Sequence, residues 1–248
     1  MYQATDLETG GQPVAYQKQA LNGLVSVNVR HGFIRKVYTL LFIQLALTSA
    51  IAAPFVLMDQ TTIANFVNAN LWLMWLSLAL SVCFMVIFAC FPSLMRRYPI
   101  NYMIMFLYTC TQGLFVGLIC SQYQVQSVLL AVVAVTAVTL ALTLFAFQTK
   151  YDFTGWGPYL LVGSLVLLVF GFVLIFVRDS GGVAQKVYAG IGALLFSLYL
   201  VYDTQLIAGG DHRKHQFSID DYAMAAICLY IDIVQLFIFL LSLIGGRK

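Results

Sequence analysis

The chain has 248 residues, of which 61% are hydrophobic and only 9% are charged, and its mean hydropathy is +0.89. This composition lies far outside the range of soluble globular domains and predicts a protein that crosses a membrane several times. The formal charge of +3 is small and the basic residues are scattered, so nothing points to nucleic acid as a partner.

The N-terminal part, residues 1–37, is polar and is predicted to be a tail outside the membrane domain. Its first 20 or so residues contain Gly10, Gly11 and Pro13 with several glutamines, a composition typical of disorder. Residues 21–36 mix apolar and basic side chains, so this segment either lies along the membrane surface or is a tether without a defined pose. The tail lacks the apolar stretch of a signal peptide, so the first transmembrane helix is expected to direct insertion.

Seven apolar stretches follow, each long enough to cross a bilayer core of about 30 Å as a helix. Only helices and closed barrels satisfy the backbone in lipid, and continuous apolar runs exclude the alternating pattern of a barrel. The sequence therefore predicts an all-α, seven-helix membrane domain over residues 38–244, followed by a short tail at 245–248. The predicted helices are residues 38–58, 71–91, 100–119, 126–147, 158–177, 187–208 and 222–244.

Basic residues mark the two sides of the membrane unequally. One side has nine: Lys18, Arg30, Arg35, Lys36, Arg96, Arg97, Lys150, Arg213 and Lys214. The other side has four: Arg178, Lys186, Arg247 and Lys248. The positive-inside rule places the N-terminus in the cytosol. Length favours seven full crossings, but charge favours a last stretch that re-enters and returns, and both alternatives stay open.

Two aspartates lie inside the apolar stretches, and no other acid does. Asp203 is in the sixth stretch and Asp232 is near the middle of the seventh. A carboxylate at such depth costs at least about 2.5 kcal/mol, so it should face a partner or a water-filled cavity. Counted from the same side, the two depths differ by only about 6 Å, so neighbouring helices can bring the carboxyl groups together.

Such a pair has a chemistry that depends on pH. Two carboxylates in contact in a low dielectric cannot both stay ionised, so a shared proton would latch the two helices together. Without that proton the pair offers hard oxygen ligands that suit Ca²⁺. Tyr199 and Gln235, each one turn from an aspartate, are expected to add hydrogen bonds. The alternative is a buried pair that only fixes helix packing.

Other polar residues have simpler interpretations. Arg96 and Arg97 flank the second helix and are either orientation signals or partners of the carboxyl pair. His212 and His215 lie in a loop of mixed charge, which is far more often solvated than metal-binding. The five cysteines have no CxxC spacing, so neither a zinc site nor a disulfide framework is indicated. The threonines Thr136, Thr139 and Thr143 share one helix face, where bonds to their own backbone or to a neighbouring helix explain them.

Enzyme readings are weak. Two intramembrane aspartates also occur in intramembrane aspartyl proteases, but Asp232 follows Leu229-Tyr230-Ile231 and not the glycines of a GxGD motif. A retinal-binding protein needs a lysine in its last helix, and this helix has none. No GxSxG, HExxH or phosphate-binding loop occurs. The sequence predicts no enzyme and no cofactor, with calcium only as a transported ion.

Several short motifs occur along the chain, and two of them contain the aspartates. They are Phe-Ile-Arg-Lys-Val-Tyr at 33–38, Thr-Lys-Tyr-Asp-Phe-Thr at 149–154, Tyr-Asp-Thr-Gln-Leu-Ile at 202–207, Gly-Gly at 209–210, Asp-Tyr-Ala at 221–223 and Leu-Tyr-Ile-Asp-Ile at 229–233. With these motifs, residues 30–244 resemble the Bax-inhibitor/lifeguard family of membrane proteins, also called the transmembrane Bax inhibitor motif family. The resemblance is to the lifeguard branch, since the long charged C-terminal tail of the founding branch is absent.

This resemblance implies six helices around a central seventh and a pH-dependent Ca²⁺ leak controlled by an aspartate pair, here Asp203 and Asp232. It also implies an arginine that engages the pair, for which Arg96 is the counterpart. Bacterial relatives have a further glutamate in the second helix, where this chain reads Phe84-Met85-Val86. Eukaryotic relatives lower stored Ca²⁺ in the endoplasmic reticulum or Golgi and protect cells from apoptosis, some through partner proteins.

The expected partners are therefore the lipid bilayer, calcium, protons and apoptosis-regulating membrane proteins or other calcium channels. Two rival functions remain open at this stage. One is a non-conducting scaffold that modulates death-signalling or channel proteins. The other is a proton/calcium exchanger that uses the same carboxyl pair.

Overall fold

A computed structural model describes residues 14–176, 182–210 and 213–246. The described residues form eight α-helices, joined in part by two 3-10 turns, Pro92–Arg96 and Ile219–Asp221. The helices are α1 (Val14–Leu57), α2 (Gln60–Ala69), α3 (Leu71–Cys90), α4 (Ile100–Cys120), α5 (Val125–Gln148), α6 (Gly157–Phe176), α7 (Val183–Ala208) and α8 (Tyr222–Ile244). No strand occurs among these residues.

Seven of these helices, all except α2, are long and apolar enough to cross a membrane. The prediction of an all-α protein with seven membrane spans is therefore confirmed. Large apolar side chains cover the outer faces of the spans, with Val133 66% exposed and Leu168 67% exposed, for example. In water such a surface would be costly, but in a bilayer it contacts lipid chains.

The last helix, α8, occupies the centre of the bundle. It packs against α1, α4, α5 and α7, whereas α3 packs on α4 and α6 packs on α7 at the periphery. Twelve of its residues are buried. The small side chains Ala223, Ala225 and Ala226 are fully buried and let the neighbouring helices approach closely.

The two ends of the bundle differ in chemistry. The "basic end" is formed by residues 91–99, 149–156, 209–210 and 213–221 together with Arg30, and the "opposite end" by residues 58–70, 121–124 and 245–246. At the opposite end the backbone of Gly246 accepts a hydrogen bond from Gln124 N (3.2 Å) and donates one to Ser127 Oγ (3.1 Å). Helix α8 begins at the basic end, and Gly246 after its last turn contacts the opposite end, so the helix runs the full height of the bundle. The re-entrant alternative is therefore not the one adopted.

Helix α1 begins earlier than the sequence analysis predicts. It is helical from Val14, whereas disorder was expected to about residue 20 and a first membrane helix only from residue 38. The predicted surface segment, residues 21–36, is wrong at its C-terminal end, because Phe33 is buried in the core (3% exposed). A helix of 44 residues is about 66 Å long, so α1 extends well beyond the bilayer.

Two further differences concern connections and tails. The ten-residue helix α2 was not predicted; it follows α1 after Asp59, whose carboxylate accepts a hydrogen bond from the backbone N–H of Thr62 (3.3 Å) and so caps its N-terminus. Several predictions lie outside the described residues: the disorder of residues 1–13, the side assigned to Arg178, Arg247 and Lys248, and the interpretation of His212.

Glycines bring α1 and α4 together. On α4, a Cβ atom at Gly113 would lie 3.0 Å from Ile51, and one at Gly117 would lie 2.7 Å from the ring of Phe55. Both contacts are closer than ordinary Cβ packing, so a larger residue at either position would force the facing side chain of α1 to shift. The pair therefore serves helix packing, as the GxxxG spacing indicates.

Candidate functional site

The two intramembrane aspartates meet between α7 and α8. Asp203 lies five residues before the end of α7, and Asp232 lies ten residues into α8. Their side chains are 6% and 3% exposed and are hydrogen-bonded to each other. An ionised carboxylate only accepts hydrogen bonds, so this contact requires a proton on one of the two groups. Helices α7 and α8 thus bring two buried carboxyl groups into contact.

The surroundings provide hydrogen bonds to only some of the oxygen atoms of the pair. Asp232 Oδ2 is buried and has no hydrogen-bond partner among the described residues. Cys228, one turn before Asp232, is close to both carboxyl groups. Tyr199 is also near both, but its hydroxyl is hydrogen-bonded to Ser164 of α6 (2.9 Å) and not to Asp203, which corrects the expected contact. Among described residues, Gln235 makes no hydrogen bond to either aspartate.

Arg96 and Arg97, in the connection between α3 and α4, do not reach the carboxyl pair. Arg96 is bound through two nitrogens to Asp221, with Nε 2.6 Å from Oδ1 and Nη2 3.1 Å from Oδ2. Asp221 precedes Asp232 by eleven residues, or about 16 Å along a helix. Arg97 is exposed. The expected contact of Arg96 with the pair is therefore replaced by an ion pair that ties the 3-10 turn Pro92–Arg96 to the beginning of α8.

Sequence reasoning missed the role of Arg30, which it used only as an orientation signal. Its guanidinium donates hydrogen bonds to the carbonyl oxygens of Leu206 (2.7 Å), Ala208 (3.2 Å) and Phe217 (2.7 Å). It also lies over the ring of Phe33, 4.9 Å from the centroid. Two of these carbonyls, Leu206 and Ala208, belong to the last turn of α7, where carbonyl groups have no partner within the helix and a cation is favourable. Arg30 thus fixes the end of the helix that carries Asp203.

Gln205, two residues after Asp203, joins α7 to the connection between α5 and α6. Its side chain is fully buried. It accepts a hydrogen bond from Phe153 N (2.8 Å) and donates one to Tyr151 O (3.0 Å). Its place in the Tyr-Asp-Thr-Gln motif was a signal for such a role, but the partner could not be read from the sequence.

The connection between α5 and α6 is held by charge as well. Arg213 donates to the carbonyls of Tyr151 (2.6 Å) and Thr149 (3.0 Å). Asp152 accepts from Thr154 Oγ1 (2.6 Å) and from Lys214 N (3.0 Å). Partial desolvation acts to raise the pKa of Asp152, but these hydrogen bonds outweigh it and hold the pKa below its usual value. These bonds join the α5–α6 connection to the α7–α8 connection. The ion pair of Arg96 with Asp221 adds the α3–α4 connection, so three connections are linked at the basic end.

A second buried polar cluster lies on another face of α8. The hydroxyls of Tyr230 and Thr48 are 2.6 Å apart, and Gln44 Nε2 donates to Thr109 Oγ1 (3.2 Å). Gln112 Nε2 donates to Tyr108 OH (3.1 Å). These residues come from α1, α4 and α8, and no periodic pattern in the sequence marks them as partners.

Unpartnered oxygens are concentrated in the membrane-spanning helices. Within the described part of the chain they are Tyr38 OH, Gln44 Oε1, Gln112 Oε1, Thr139 Oγ1, Thr204 Oγ1 and Asp232 Oδ2. Thr204 follows Asp203 directly. The Tyr38 hydroxyl interacts with the hydroxyls of Thr204 and Thr143, although no hydrogen bond of good geometry forms between them. Thr136, by contrast, bonds its own backbone at Val132 O (2.7 Å), as the sequence analysis expects. Buried oxygens without partners are costly unless water or an ion visits them.

The described residues contain no group of three or more His, Cys, Asp or Glu side chains that could hold a metal ion permanently. The oxygens of the carboxyl pair, with Thr204 beside it, are hard ligands of the type that Ca²⁺ prefers. Two carboxylates are few for a permanent calcium site, which normally has six to eight oxygen ligands. The arrangement suits brief binding of a passing cation better than storage.

Comparison with known proteins gives consistent results. Residues 30–248 match the family model described as "Inhibitor of apoptosis-promoting Bax1". The chain is 39% identical over 222 residues to Protein lifeguard 3 of Homo sapiens, covering 89% of this chain and 70% of that protein. It is 36% identical over 221 residues to Protein lifeguard 3 of Mus musculus, covering 88% and 70%. It is 31% identical over 253 residues to Protein LIFEGUARD 4 of Arabidopsis thaliana, covering 100% and 97%. The chain therefore belongs to the Bax inhibitor family, in its lifeguard branch.

Proposed function

We propose that this protein lets Ca²⁺ leak passively across an intracellular membrane, and that the Asp203–Asp232 pair is both its pH sensor and its gate. The observation that carries the proposal is the direct contact of two buried carboxyl groups from adjacent membrane helices. Ionisable groups at this depth are expensive and mark ion or proton pathways more often than packing sites.

The proposed gate works through the proton that the two carboxyl groups share. With the proton in place, the hydrogen bond between Asp203 and Asp232 latches α7 to α8. When the proton leaves, two negative charges face each other in a low dielectric and repel, which favours separation of the helices or capture of a cation. Ca²⁺ is then held by the carboxylate oxygens, and a returning proton helps to release it.

The rest of the route is proposed from the unpartnered oxygens. Thr204, Tyr38 and Thr139 carry hydroxyl oxygens without a hydrogen bond of good geometry. Thr204 is next to Asp203, the Tyr38 hydroxyl interacts with Thr204, and Thr139 is on α5. They can replace part of the hydration shell of an ion that moves between the pair and the basic end. In this proposal Arg96 acts at the entrance: its ion pair with Asp221 keeps the beginning of α8 closed, and it does not touch the pair itself.

The cellular role is proposed from the family and from charge. The family description names inhibition of a protein that promotes apoptosis, and a leak that lowers stored calcium would act in that direction. We place the protein in the endoplasmic reticulum or Golgi membrane with the basic end in the cytosol, because basic connections favour that side. Its proposed partners are calcium, protons and apoptosis-regulating membrane proteins or other calcium channels.

Calcium uptake by liposomes that contain only the purified protein tests this proposal. Uptake is measured from about pH 5 to 8, the range in which a buried carboxyl pair can change its proton content. We expect uptake that varies with pH for the wild type and loses that variation for Asp232→Asn. Asp220→Asn is the matched control, because Asp220 is exposed near the start of α8 and should leave the pH profile unchanged.

Three outcomes separate the alternatives. No uptake above empty liposomes at any pH, from protein shown to be folded, would overturn the channel and leave a scaffold that modulates cell-death or channel proteins. Proton counter-transport at a fixed ratio to calcium, read from a pH dye inside the liposomes, would identify an exchanger. Uptake with the same pH profile in the wild type and Asp232→Asn would remove the carboxyl pair from the gate.

A further inference from the structure

A long apolar groove opens between α1 and α5. It has a volume of about 480 Å³, and neither aspartate of the carboxyl pair lines it. Its walls include Ala52 and Ala53 on α1 and Val128 and Val132 on α5, and Val234 and Phe237 of α8 form its floor. Helices α1 and α5 each pack on α8 but scarcely touch each other. The small alanine side chains widen the gap that α8 leaves between them.

The groove has the length of one lipid chain. On α1 its lining extends from residue 45 to residue 57, about 18 Å along a helix. It runs from the opposite end of the bundle to the middle of the membrane span. One leaflet accounts for about 15 Å of a hydrocarbon core of about 30 Å. The length of the groove is therefore close to the thickness of one leaflet of the hydrocarbon core.

The polar atoms in the groove are already paired with the protein. Three hydroxyl residues line it, and each donates to a carbonyl of its own helix: Thr48 to Gln44 O (2.8 Å), Ser49 to Leu45 O (2.8 Å) and Thr136 to Val132 O (2.7 Å). A peptide or another polar occupant would find few partners for its own N–H and C=O groups, which is costly in hydrocarbon. The lining therefore favours an occupant without hydrogen-bonding groups.

The rim of the groove is continuous with the lipid-facing surface. Leu57 is 73% exposed, Leu129 is 60% exposed and Val132 is 45% exposed, and all three both line the groove and lie on outer faces of membrane helices. The lipid that covers these faces can enter sideways without leaving the bilayer. We propose that the groove binds one acyl chain of a phospholipid from the leaflet at the opposite end.

The bound chain fills the space between α1, α5 and α8. It contacts Ile233 and Val234, which directly follow Asp232, so it stabilises the central helix in its present packing. A dry groove of this volume would leave its lining without van der Waals partners on one side. The lipid is therefore expected to remain when the surrounding, loosely held lipids are removed.

Retention of phospholipid through detergent purification tests this inference. The bound lipid is counted by native mass spectrometry and by phosphate analysis after exhaustive washing. We expect about one phospholipid per chain for the wild type, as one groove of this length accommodates one chain. Ala53→Phe places a ring in the groove and is expected to reduce the retained lipid at least several-fold. Ala89→Phe is the matched control, because Ala89 is exposed on α3, away from the groove.

Several outcomes of the same experiment would overturn the inference. Wild-type protein without retained phospholipid, or equal retention by Ala53→Phe and Ala89→Phe, would show that the groove is not a lipid site. A retained sterol, or a dimer in place of a lipid, would assign the groove to that occupant. If Ala53→Phe does not give a single peak in size-exclusion chromatography, Val132→Phe on the facing wall provides the second test, with the same expected loss.

Discussion

Replacement of Arg30 by methionine should destabilise the bundle more than the same replacement of Arg35, an exposed basic residue of the same helix. The guanidinium makes three hydrogen bonds to carbonyl oxygens of residues 206–217. Hydrogen bonds from a charged donor contribute roughly 1.5–3 kcal/mol each when buried, and less when half-buried as here. At about 1 kcal/mol each, Arg30→Met is expected to lower the free energy of unfolding by about 3 kcal/mol.

The assay is thermal unfolding in detergent, followed by the fluorescence of the three tryptophans. For a chain of this size each kcal/mol shifts Tm by roughly 2–4 °C, so we expect a decrease of about 6–12 °C. Arg35→Met is the matched control: Arg35 lies five residues later in the same helix, and its side chain is exposed. We expect it to change Tm by no more than about 2 °C, since exposed substitutions are usually within 0.5 kcal/mol.

Equal Tm changes for Arg30→Met and Arg35→Met would refute this reasoning, because they would show that charge alone matters. An unchanged Tm for Arg30→Met would show that water replaces the guanidinium at the end of α7 at no cost. A functional consequence follows from the same contacts. Arg30 holds the C-terminal turn of α7, the helix that carries Asp203. Because Asp203 belongs to the proposed gate, the loss of Arg30 is also expected to change the pH profile of calcium uptake.

Three further changes have expected effects on stability. Gly192→Ala puts a methyl group 2.5 Å from the Phe239 ring and should lower the free energy of unfolding by about 1–3 kcal/mol through overpacking. Tyr230→Phe removes the 2.6 Å hydrogen bond to Thr48 and should cost about 1 kcal/mol, measured by thermal unfolding. Asp152→Asn should cost about 1 kcal/mol at neutral pH, since this half-exposed carboxylate accepts several hydrogen bonds. The pKa of Asp152 is lowered in the folded state, so its contribution is present above its unfolded pKa of about 3.9 and disappears as pH falls through the folded value.

Each of these changes has its own control. Gly190→Ala meets no atom within 4 Å and should be neutral or stabilising, so a similar loss for both glycines would argue against overpacking. For Tyr230 the test is a double-mutant cycle with Thr48→Val, and additive effects would mean that the hydrogen bond contributes nothing. For Asp152, a difference between wild type and variant that does not become smaller as pH falls below the unfolded pKa of about 3.9 would contradict the linkage argument.

Most of the fold follows from the sequence because the bilayer imposes a single requirement on each span. Every backbone group must be paired within lipid, so an apolar run of about 20 residues has no alternative to a helix. The predicted last helix, residues 222–244, agrees with α8 at both ends. The beginning of α1 was missed because polarity alone cannot distinguish a surface segment from a helix whose few apolar residues, such as Phe33, pack into the bundle.

Candidate site residues could be predicted from the sequence where placing the side chain in the membrane costs free energy. A carboxylate within an apolar run is conspicuous, and this identified Asp203 and Asp232 from the sequence alone. The partners of Arg96, Tyr199 and Arg30 were not predictable in this way. Each of these side chains is long, and each reaches a different helix or connection, so its partner depends on how the helices are arranged.

The sequence by itself determined the membrane class, the number of spans and the two aspartates, because each follows from the local cost of placing a group in hydrocarbon. Tertiary structure alone decided that α8 is central, that Arg96 binds Asp221 and that Arg30 holds the end of α7. It also decided that α1 and α5 leave a groove between them. These features depend on the order and rotation of the helices in the bundle. A helix that is apolar on every side has a sequence that indicates neither its neighbours nor its buried face.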